Sequence, residues 1–366
     1  MTFDELTHLH DLLARSVRAG VPAVVATLVS REGHSYRDVG AMMAMNDALE
    51  LAGGVSGGCL EEYIGRQGRE LLRDRESVIL TFDTASEMPD RPRLGCGGRL
   101  DVLVERAADH HVAFLRGLLA ASEHSDRVAA CVAYHDHGSI PSPEAARAIV
   151  VDGRVTFGRL PDQVTLEAIA DVTALREPMS LQARGARLSA AYVWPRPRLV
   201  IFGGRDDAIP LAAIADTAGW HVTVIDRRAR LATRARFPHA DEIIVNAWDR
   251  AIARVAWTPW TAAIVMTHDV NDDEAILRAL LVETDAHAPD GDAARPGYVG
   301  LLGPSARTDR LWMDLPPAAR ERVRSPVGLT LGDKSPPAVA VAIVAELIAW
   351  RRGRATPAER AVGMRR

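Results

Sequence analysis

The sequence predicts an α/β chain of two domains, the second a doubly wound parallel sheet. Three observations carry that expectation. At 366 residues the chain is longer than one core usually serves, and its composition, 48% hydrophobic and 25% charged, is that of an ordinary globular protein. A proline-rich break from Pro195 to Pro197 separates two stretches of different patterning. Beyond the break, short apolar runs alternate with helical segments, as strands joined by crossover helices do. The expected organisation is a domain over residues 1–193, a second over 198–352, and a loose, Arg-rich tail over 353–366.

The elements follow in order. Thr2 and Glu5 form a capping box ahead of a helix with Leu6, Leu9, Leu13 and Val17 on its apolar side. "VPAVVATLVS" (21–30), "AMMAM" (41–45) and "SVILTFD" (77–83) read as strands. Between the last two lies a helix with Leu60, Tyr63, Ile64, Leu71 and Leu72 on one face. "LGCGGRLDVLVE" (94–105) is a glycine turn feeding a strand, and "RVAACVAY" (127–134) is another strand. "AIVVDGRVTFG" (148–158) is a hairpin turning at Asp152-Gly153, and "RLSAAYVW" (187–194) ends the first domain. No repeat is visible in the residues. In the second domain "RLVIF" (198–202) leads through a glycine turn into a helix at about 207–218. "WHVTVID" (220–226), "DEIIV" (241–245), "TAAIVMT" (261–267) and "YVGLL" (298–302) supply further strands. "PPAVAVAIVAELIAWRRG" (336–353) is a closing helix, with prolines at its start, arginines in its last turn and glycine after it.

Charge excludes some partners. A formal net charge of -4 argues against nucleic acid or an anionic membrane surface. No apolar run is long enough to span a bilayer, and the acidic N-terminus is not a signal peptide, so a cytoplasmic protein is expected. The three cysteines, Cys59, Cys96 and Cys131, do not suit a disulfide framework.

Chemistry concentrates in two glycine-rich loops. In "GGVSGGCLEE" (53–62) permissive backbone and a thiol sit at the mouth of a helix. Such a place offers free N–H groups and a positive dipole end to an anion, and favours the thiolate of Cys59. "GCGG" (95–98) again holds a thiol among glycines. Neither loop has zinc-ligand spacing, and Cys131, inside an apolar strand, reads as core. In the second domain Gly203 and Gly204 open a strand-to-helix turn, and Asp226 stands where an acidic residue would contact a ribose. The dinucleotide fingerprint is broken: its second and third glycines fall on Arg205 and Ala208, which obstructs a pyrophosphate in the usual pose. His268 and Asp269 follow a strand directly, where a histidine contacts ligand or shuttles a proton, or the pair simply begins a helix. His110 and His111 are expected on the solvated side of a helix, and His135 and His137 in a surface loop.

"REGHSYRDVGAMM", "GGVSGGCLEE", "LGCGGRLDVLVE", "RLVIFGGRDDAIPLAAIADTAGWHVTVIDRR", "VMTHD", "YVGLLGPSAR" and "PVGLTLGDKSPPAVAVAIVAELIAW" together span nearly the whole chain. In these segments the sequence resembles the xanthine dehydrogenase accessory factors, the XdhC/CoxI family. The resemblance implies an N-terminal α/β XdhC/CoxI-type domain followed by a Rossmann-like domain. It implies a chaperone, not a catalyst, that binds molybdenum cofactor (molybdopterin with its metal) and holds it for sulfuration. Delivery would be to a xanthine dehydrogenase-type molybdenum hydroxylase, with a cysteine desulfurase as second partner and homodimerisation. Carried over by motif, Ser56, Gly57, Gly58 and Cys59 would contact the cofactor, with Cys59 at molybdenum, and Cys96, Gly97 and Gly98 would follow. Glu61 either accepts N–H bonds from the pterin or stabilises the helix start, and Arg37 binds an anion or forms a surface ion pair. Gly203, Gly204, Asp226 and His268 are the second domain's candidates. The competing reading is an NAD(P)-dependent oxidoreductase with a cysteine in its active site, favoured by Asp226 and the two-domain layout, opposed by Arg205 and Ala208.

Overall fold

The structure is a computed structural model that describes residues 1–71, 73, 77–83, 98–135, 147–160, 166–183, 186–283, 295–303, 311 and 315–353. The chain divides into two units, Met1–Pro195 and Arg196–Arg366.

In the first unit, helix α1 (Phe3–Ala19) starts at the expected capping box: the Thr2 hydroxyl accepts from Glu5 N–H, and the Glu5 carboxylate accepts from Thr2 N–H. Strands β1 (Ala23–Glu32), β2 (Met42–Asn46) and β3 (Leu51–Gly53) form a meander. Helix α2 (Glu61–Leu71) and strands β4 (Ser77–Asp83) and β5 (Arg99–Arg106) follow. The sheet order is β3-β2-β1-β5-β4, every pairing antiparallel. Valine and alanine fill both faces of β1 because both are covered. Val24, Ala26 and Leu28 meet α2 through Leu60 and Ile64, while Ala23 and Val25 meet α1.

The same plan then recurs. Helix α3 (Asp109–His124), the meander β6 (Val128–Tyr134), β7 (Arg147–Val151) and β8 (Arg154–Gly158), helix α4 (Leu166–Leu175) and strands β9 (Met179–Ala183) and β10 (Ala186–Val193) make a second sheet ordered β8-β7-β6-β10-β9. Register equates Thr27 with Val132, Met42 with Arg147 and Gly53 with Gly158, at one constant offset. Gly53 and Gly158 both have positive φ, 70° and 64°, and a Cβ on either would collide with a strand carbonyl, that of Met42 or Arg147. The unit is thus a tandem repeat of fold, which the sequence reading missed because almost no side chains are shared. The turn between β7 and β8 has positive φ at both Asp152 (49°) and Gly153 (75°), as a type I′ hairpin requires.

The two repeats pack with α1 and α3 between their sheets, and α4 covers the outer face of the second sheet. One buried ion pair ties them. Arg147 of β7 reaches both oxygens of Glu105 on β5, with Nη1 donating to Oε1 at 2.9 Å, and both side chains are 1% exposed. His111, in the first turn of α3, has Nε2 3.6 Å from Glu105 Oε1 and accepts from Ala108 N–H at Nδ1. His111 is therefore buried, not solvated as expected: the first turn of α3 tucks it against the pair. Burial, helped by the Arg147 charge, pushes the imidazole down to about 4. Burial opposes ionisation of Glu105, yet the Arg147 charge holds that carboxyl well below its ordinary range.

The second unit is a six-stranded, all-parallel sheet: β11 (Arg198–Phe202), β12 (His221–Ile225), β13 (Glu242–Ile244), β14 (Thr261–Val265), β15 (Tyr298–Leu301) and β16 (Val323–Arg324). Its order, β13-β12-β11-β14-β15-β16, reverses direction between β11 and β14. Helices α5 (Ala208–Thr217) and, later in the chain, α9 (Pro336–Arg351) pack on one face, while α6 (Trp248–Ile252), α7 (Val270–Arg278) and α8 (Pro317–Glu321) pack on the other. This is the expected doubly wound, Rossmann-like arrangement, whose ligand crevice lies beyond the strand ends at the reversal. No helix among the described residues is long and apolar enough to cross a membrane.

Candidate functional site

The passage from β3 to α2 builds the first candidate site. Its organiser is Glu61, the first residue of α2, which is 4% exposed. Its Oε1 accepts from the N–H groups of Val55 (3.0 Å) and Ser56 (2.8 Å). Its Oε2 accepts from the Ser56 hydroxyl (2.6 Å) and from Leu60 N–H (3.1 Å). Burial resists ionisation, but the bonds from Ser56 and the neighbouring main chain overcome it, so the carboxyl sits below its ordinary value. Glu61 is thus committed to holding the loop. Ser56, 8% exposed, is drawn inward with it. Gly57, Gly58 and Cys59 remain on the outside, and Gly58 takes φ 102° in open space, a backbone only glycine adopts readily. The result is a thiol displayed by bare main chain.

Two other expected residues adjoin this loop. A Cβ on Gly54 would lie 3.8 Å from Arg37 Nη2, so the arginine borders the loop, but its guanidinium donates to Glu5 at 2.5 Å. A Cβ on Gly98 would lie 2.4 Å from the His34 carbonyl oxygen and 2.7 Å from that of Glu32, while one on Gly57 would touch Tyr36. The segment from Glu32 to Arg37 therefore contacts both glycine stretches. Cys96 and Gly97 lie outside the described residues. Cys131 is core as expected, and burial pushes its thiol up to about 12.

The repeat supplies an internal comparison. At the offset that equates Gly53 with Gly158, Ser56 to Glu61 correspond in sequence to Pro161, Asp162, Gln163, Val164, Thr165 and Leu166, and Leu166 begins α4 as Glu61 begins α2. Those six residues include no glycine and no cysteine, and Leu166 takes the place of the Glu61 carboxylate. The β4–β5 connection, which carries Cys96, is also long, whereas only residues 184–185 join β9 to β10. Both cysteine segments thus differ, in residues or in length, from their counterparts in the second repeat.

In the second unit the expected residues gather at the sheet reversal. Gly203 (φ 110°) packs against the Met266 carbonyl, and Gly204 N–H donates to Asp226 at 2.8 Å. Asp226 is fully buried, and Arg228 grips both its oxygens at 2.8 Å. Burial opposes its ionisation, but the bonds from Arg228 and Gly204 lower its pKa. Arg205, at the broken glycine position, donates to the Thr267 carbonyl across the crevice. His268 has φ 63°, unusual for a side-chain-bearing residue, and its Nε2 lies 2.6 Å from Asp207 Oδ2. Asp269 caps α7 by accepting from Asn271 and Asp272 N–H.

Sequence reasoning missed two further features. Glu105, His110 and His111 form a cluster whose candidate ligand atoms lie within 4.8 Å of one another, but the Arg147 guanidinium already occupies the carboxylate. An open cavity of about 900 Å³, lined in part by Arg66, Arg69, Arg73 and Arg106, lies at the far end of α2 from Cys59.

Two family models match the chain: the XdhC and CoxI family over residues 16–83 and the XdhC Rossmann domain over residues 199–347. In both segments the chain is similar to XdhC and CoxI proteins. Among its relatives is a protein of Bacillus subtilis (strain 168) named as a probable xanthine dehydrogenase subunit, 29% identical over 94% of this chain and 98% of the relative. The molybdenum cofactor insertion chaperone PaoD of Escherichia coli (strain K12) is 25% identical over 94% of this chain and 90% of its own. A crystal structure described as a xanthine dehydrogenase from Bacillus halodurans superposes with TM-score 0.75 at 28% identity, covering 96% of this chain and 98% of that one. Both matched segments contain candidate residues: Arg37 and Ser56 to Glu61 in the first, Gly203, Gly204, Asp226 and His268 in the second.

Proposed function

We propose that this protein is a molybdenum cofactor carrier of the XdhC and CoxI family, an accessory factor and not an enzyme. It binds the cofactor at the Ser56–Glu61 loop, holds it for sulfuration, and inserts it into a xanthine dehydrogenase-type molybdenum hydroxylase. Two full-length relatives support the class, one named a molybdenum cofactor insertion chaperone and the other a probable component of xanthine dehydrogenase. The observation that carries the reading is the outward thiol of Cys59 on glycine backbone, in a loop whose residues the twin repeat does without. Soft sulfur suits molybdenum, and uncovered main-chain N–H groups suit the cofactor's oxo groups and phosphate. Gly57 and Gly58 leave room for close approach, Glu61 fixes the loop, and Cys96, Gly97 and Gly98 complete the pterin site. In the second unit Gly203, Gly204, Asp226 and His268 form an accessory surface, not an NAD(P) site. The protein works in the cytoplasm, as a homodimer, with a cysteine desulfurase as its second partner.

The test is anaerobic mixing of the full chain with molybdenum cofactor, gel filtration, and molybdenum and pterin analysis of the protein peak. Wild type should retain both, and Cys59→Ser should retain markedly less metal. Equal retention by Cys59→Ser and wild type overturns the assignment of the thiol, and no retention by wild type overturns the carrier reading. Co-purification of a molybdenum hydroxylase or a desulfurase from a cofactor-producing host tests the partners.

A further inference from the structure

Tyr36 is the most exposed large apolar side chain among the described residues, at 82%. Single exposed aromatics are common and need no explanation. This one has a seat. A Cβ built on Gly57 would lie 3.3, 3.4 and 3.5 Å from Cγ, Cδ1 and Cδ2 of the Tyr36 ring. A point nearly equidistant from three contiguous ring atoms lies over the ring face, not at its edge. One face of the phenol therefore covers the main chain of Gly57, and the other face looks into solvent.

The glycine itself is consistent with that placement. Gly58 is required by its positive φ, but Gly57 is not among the glycines with positive φ. Backbone conformation does not demand glycine at 57. What an added side chain would meet there is the ring of Tyr36, with its nearest atom at 3.3 Å and the next two at ordinary contact distance. In the second repeat the corresponding position is Asp162. The absence of a side chain at 57 thus serves the placement of an aromatic ring, two residues from the exposed thiol of Cys59.

We infer that Tyr36 is a stacking platform for the fused heteroaromatic ring of the cargo. This rests on the carrier reading above and deepens it. A ring held from behind, with its outer face open, stacks flat π-systems with little dependence on their substituents. The platform would position the pterin, while Cys59 addresses the metal end. The two contributions are separable, because a pterin without metal can use the platform but not the thiolate.

The experiment uses the full chain and two probes: a metal-free oxidised pterin, followed by quenching of its own fluorescence, and molybdenum cofactor, followed by retention through gel filtration. Wild type should quench the pterin saturably. Tyr36→Phe should match wild type with both probes, since the hydroxyl is not part of the platform. Tyr36→Ala should bind both on the order of tenfold more weakly, as loss of one stacking partner does. Gly57→Ala, which keeps the ring and shifts it by a few tenths of an ångström, should change pterin binding far less than Tyr36→Ala does. Cys59→Ser should weaken the cofactor and leave the metal-free pterin unchanged. If wild type retains cofactor and Tyr36→Ala retains it equally, the platform is wrong and the carrier reading stands. If wild type binds neither probe, both fall together.

Discussion

Changing Glu61 to glutamine keeps the shape of the side chain and removes its charge, and the structure sets the cost. All its hydrogen-bond partners are donors: Val55 and Ser56 N–H on one oxygen, the Ser56 hydroxyl and Leu60 N–H on the other. An amide has a single acceptor oxygen, so its NH2 must face one of these donor pairs. The less damaging orientation points NH2 at Ser56 Oγ, which can rotate to accept, and leaves Leu60 N–H to the Ser56 hydroxyl at 3.1 Å. Charge-assisted bonds then become neutral ones, at a loss of about 1 kcal/mol each, and an N–H is left facing an NH2. Relief of a buried charge offsets part of this, and the lowered pKa of Glu61 shows that the ionised form wins that balance. A net cost of about 2 kcal/mol at neutral pH is expected for the first unit. Urea titration of both proteins, followed by a signal from that unit, measures it. The sign with pH is set by linkage: a depressed carboxyl contributes stability above its unfolded value of 4.5 that is lost as pH falls through the lower folded value. The gap between Glu61→Gln and wild type should therefore shrink on acidification below 4.5. A difference under about 0.5 kcal/mol at pH 7 would refute the organiser role. A stable variant that still lost cofactor would instead favour direct contact between Glu61 and the pterin.

Three further outcomes follow from the same geometry. Unfolded His111 takes up its proton near 6.5 whereas the folded one resists until about 4, so stability should fall as pH drops through that window, by about 3 kcal/mol in all, with Glu105 adding to the loss from 4.5 downward; urea midpoints between 6.5 and 4.5 should show the His111 slope, and His111→Gln should flatten it. Arg147→Met leaves Glu105 buried without its guanidinium and should cost about 3–5 kcal/mol, much of which Glu105→Leu in the same chain should restore, as thermal melts would show. Arg205→Gly repairs the second glycine of the dinucleotide fingerprint but leaves Asp226 held by Arg228 and Gly204, so NADH titration should still show no saturable binding; tight binding by the variant would contradict the account of Asp226.

The second unit was legible because its strands are buried on both faces and its helices alternate with them, so periodicity marks each element. The predicted helix at about 207–218 is Ala208–Thr217, and the "WHVTVID" strand is His221–Ile225. The first unit was legible only in part. β3 has three residues, and α4 has ten, with no basic residue in its last turn to mark its end. The repeat escaped notice because antiparallel strands impose a pattern of burial rather than identities, so that Met42 and Arg147 can occupy one position. Cys59 could be singled out from its glycines. Tyr36 could not, since only coordinates show a ring lying on residue 57. His111 read as solvated because nothing local reveals that Arg147, far along the chain, comes to lie beside it.

The two glycine turns look alike in sequence and differ in what they leave for a ligand. At Gly203 and Gly204 the groups that a dinucleotide would use are already engaged: Asp226 is gripped by Arg228 and by Gly204 N–H, and Arg205 reaches across to the Thr267 carbonyl. Asp206 and Asp207 also stand just before α5, so the helix end that would attract a pyrophosphate faces it with carboxylates. His268 closes on Asp207, and a ligand entering there would have to part that pair. At Gly57 and Gly58 the arrangement is reversed. The polar atoms that shape the loop, those of Ser56 and Glu61, are turned inward and bonded to one another, while bare main chain and a thiol are turned outward. A binding loop has to be rigid without spending its outer face on rigidity, and an inward carboxylate at the first residue of the helix achieves that. For this reason the thiol loop, and not the more familiar nucleotide fold, is where a cargo would be held.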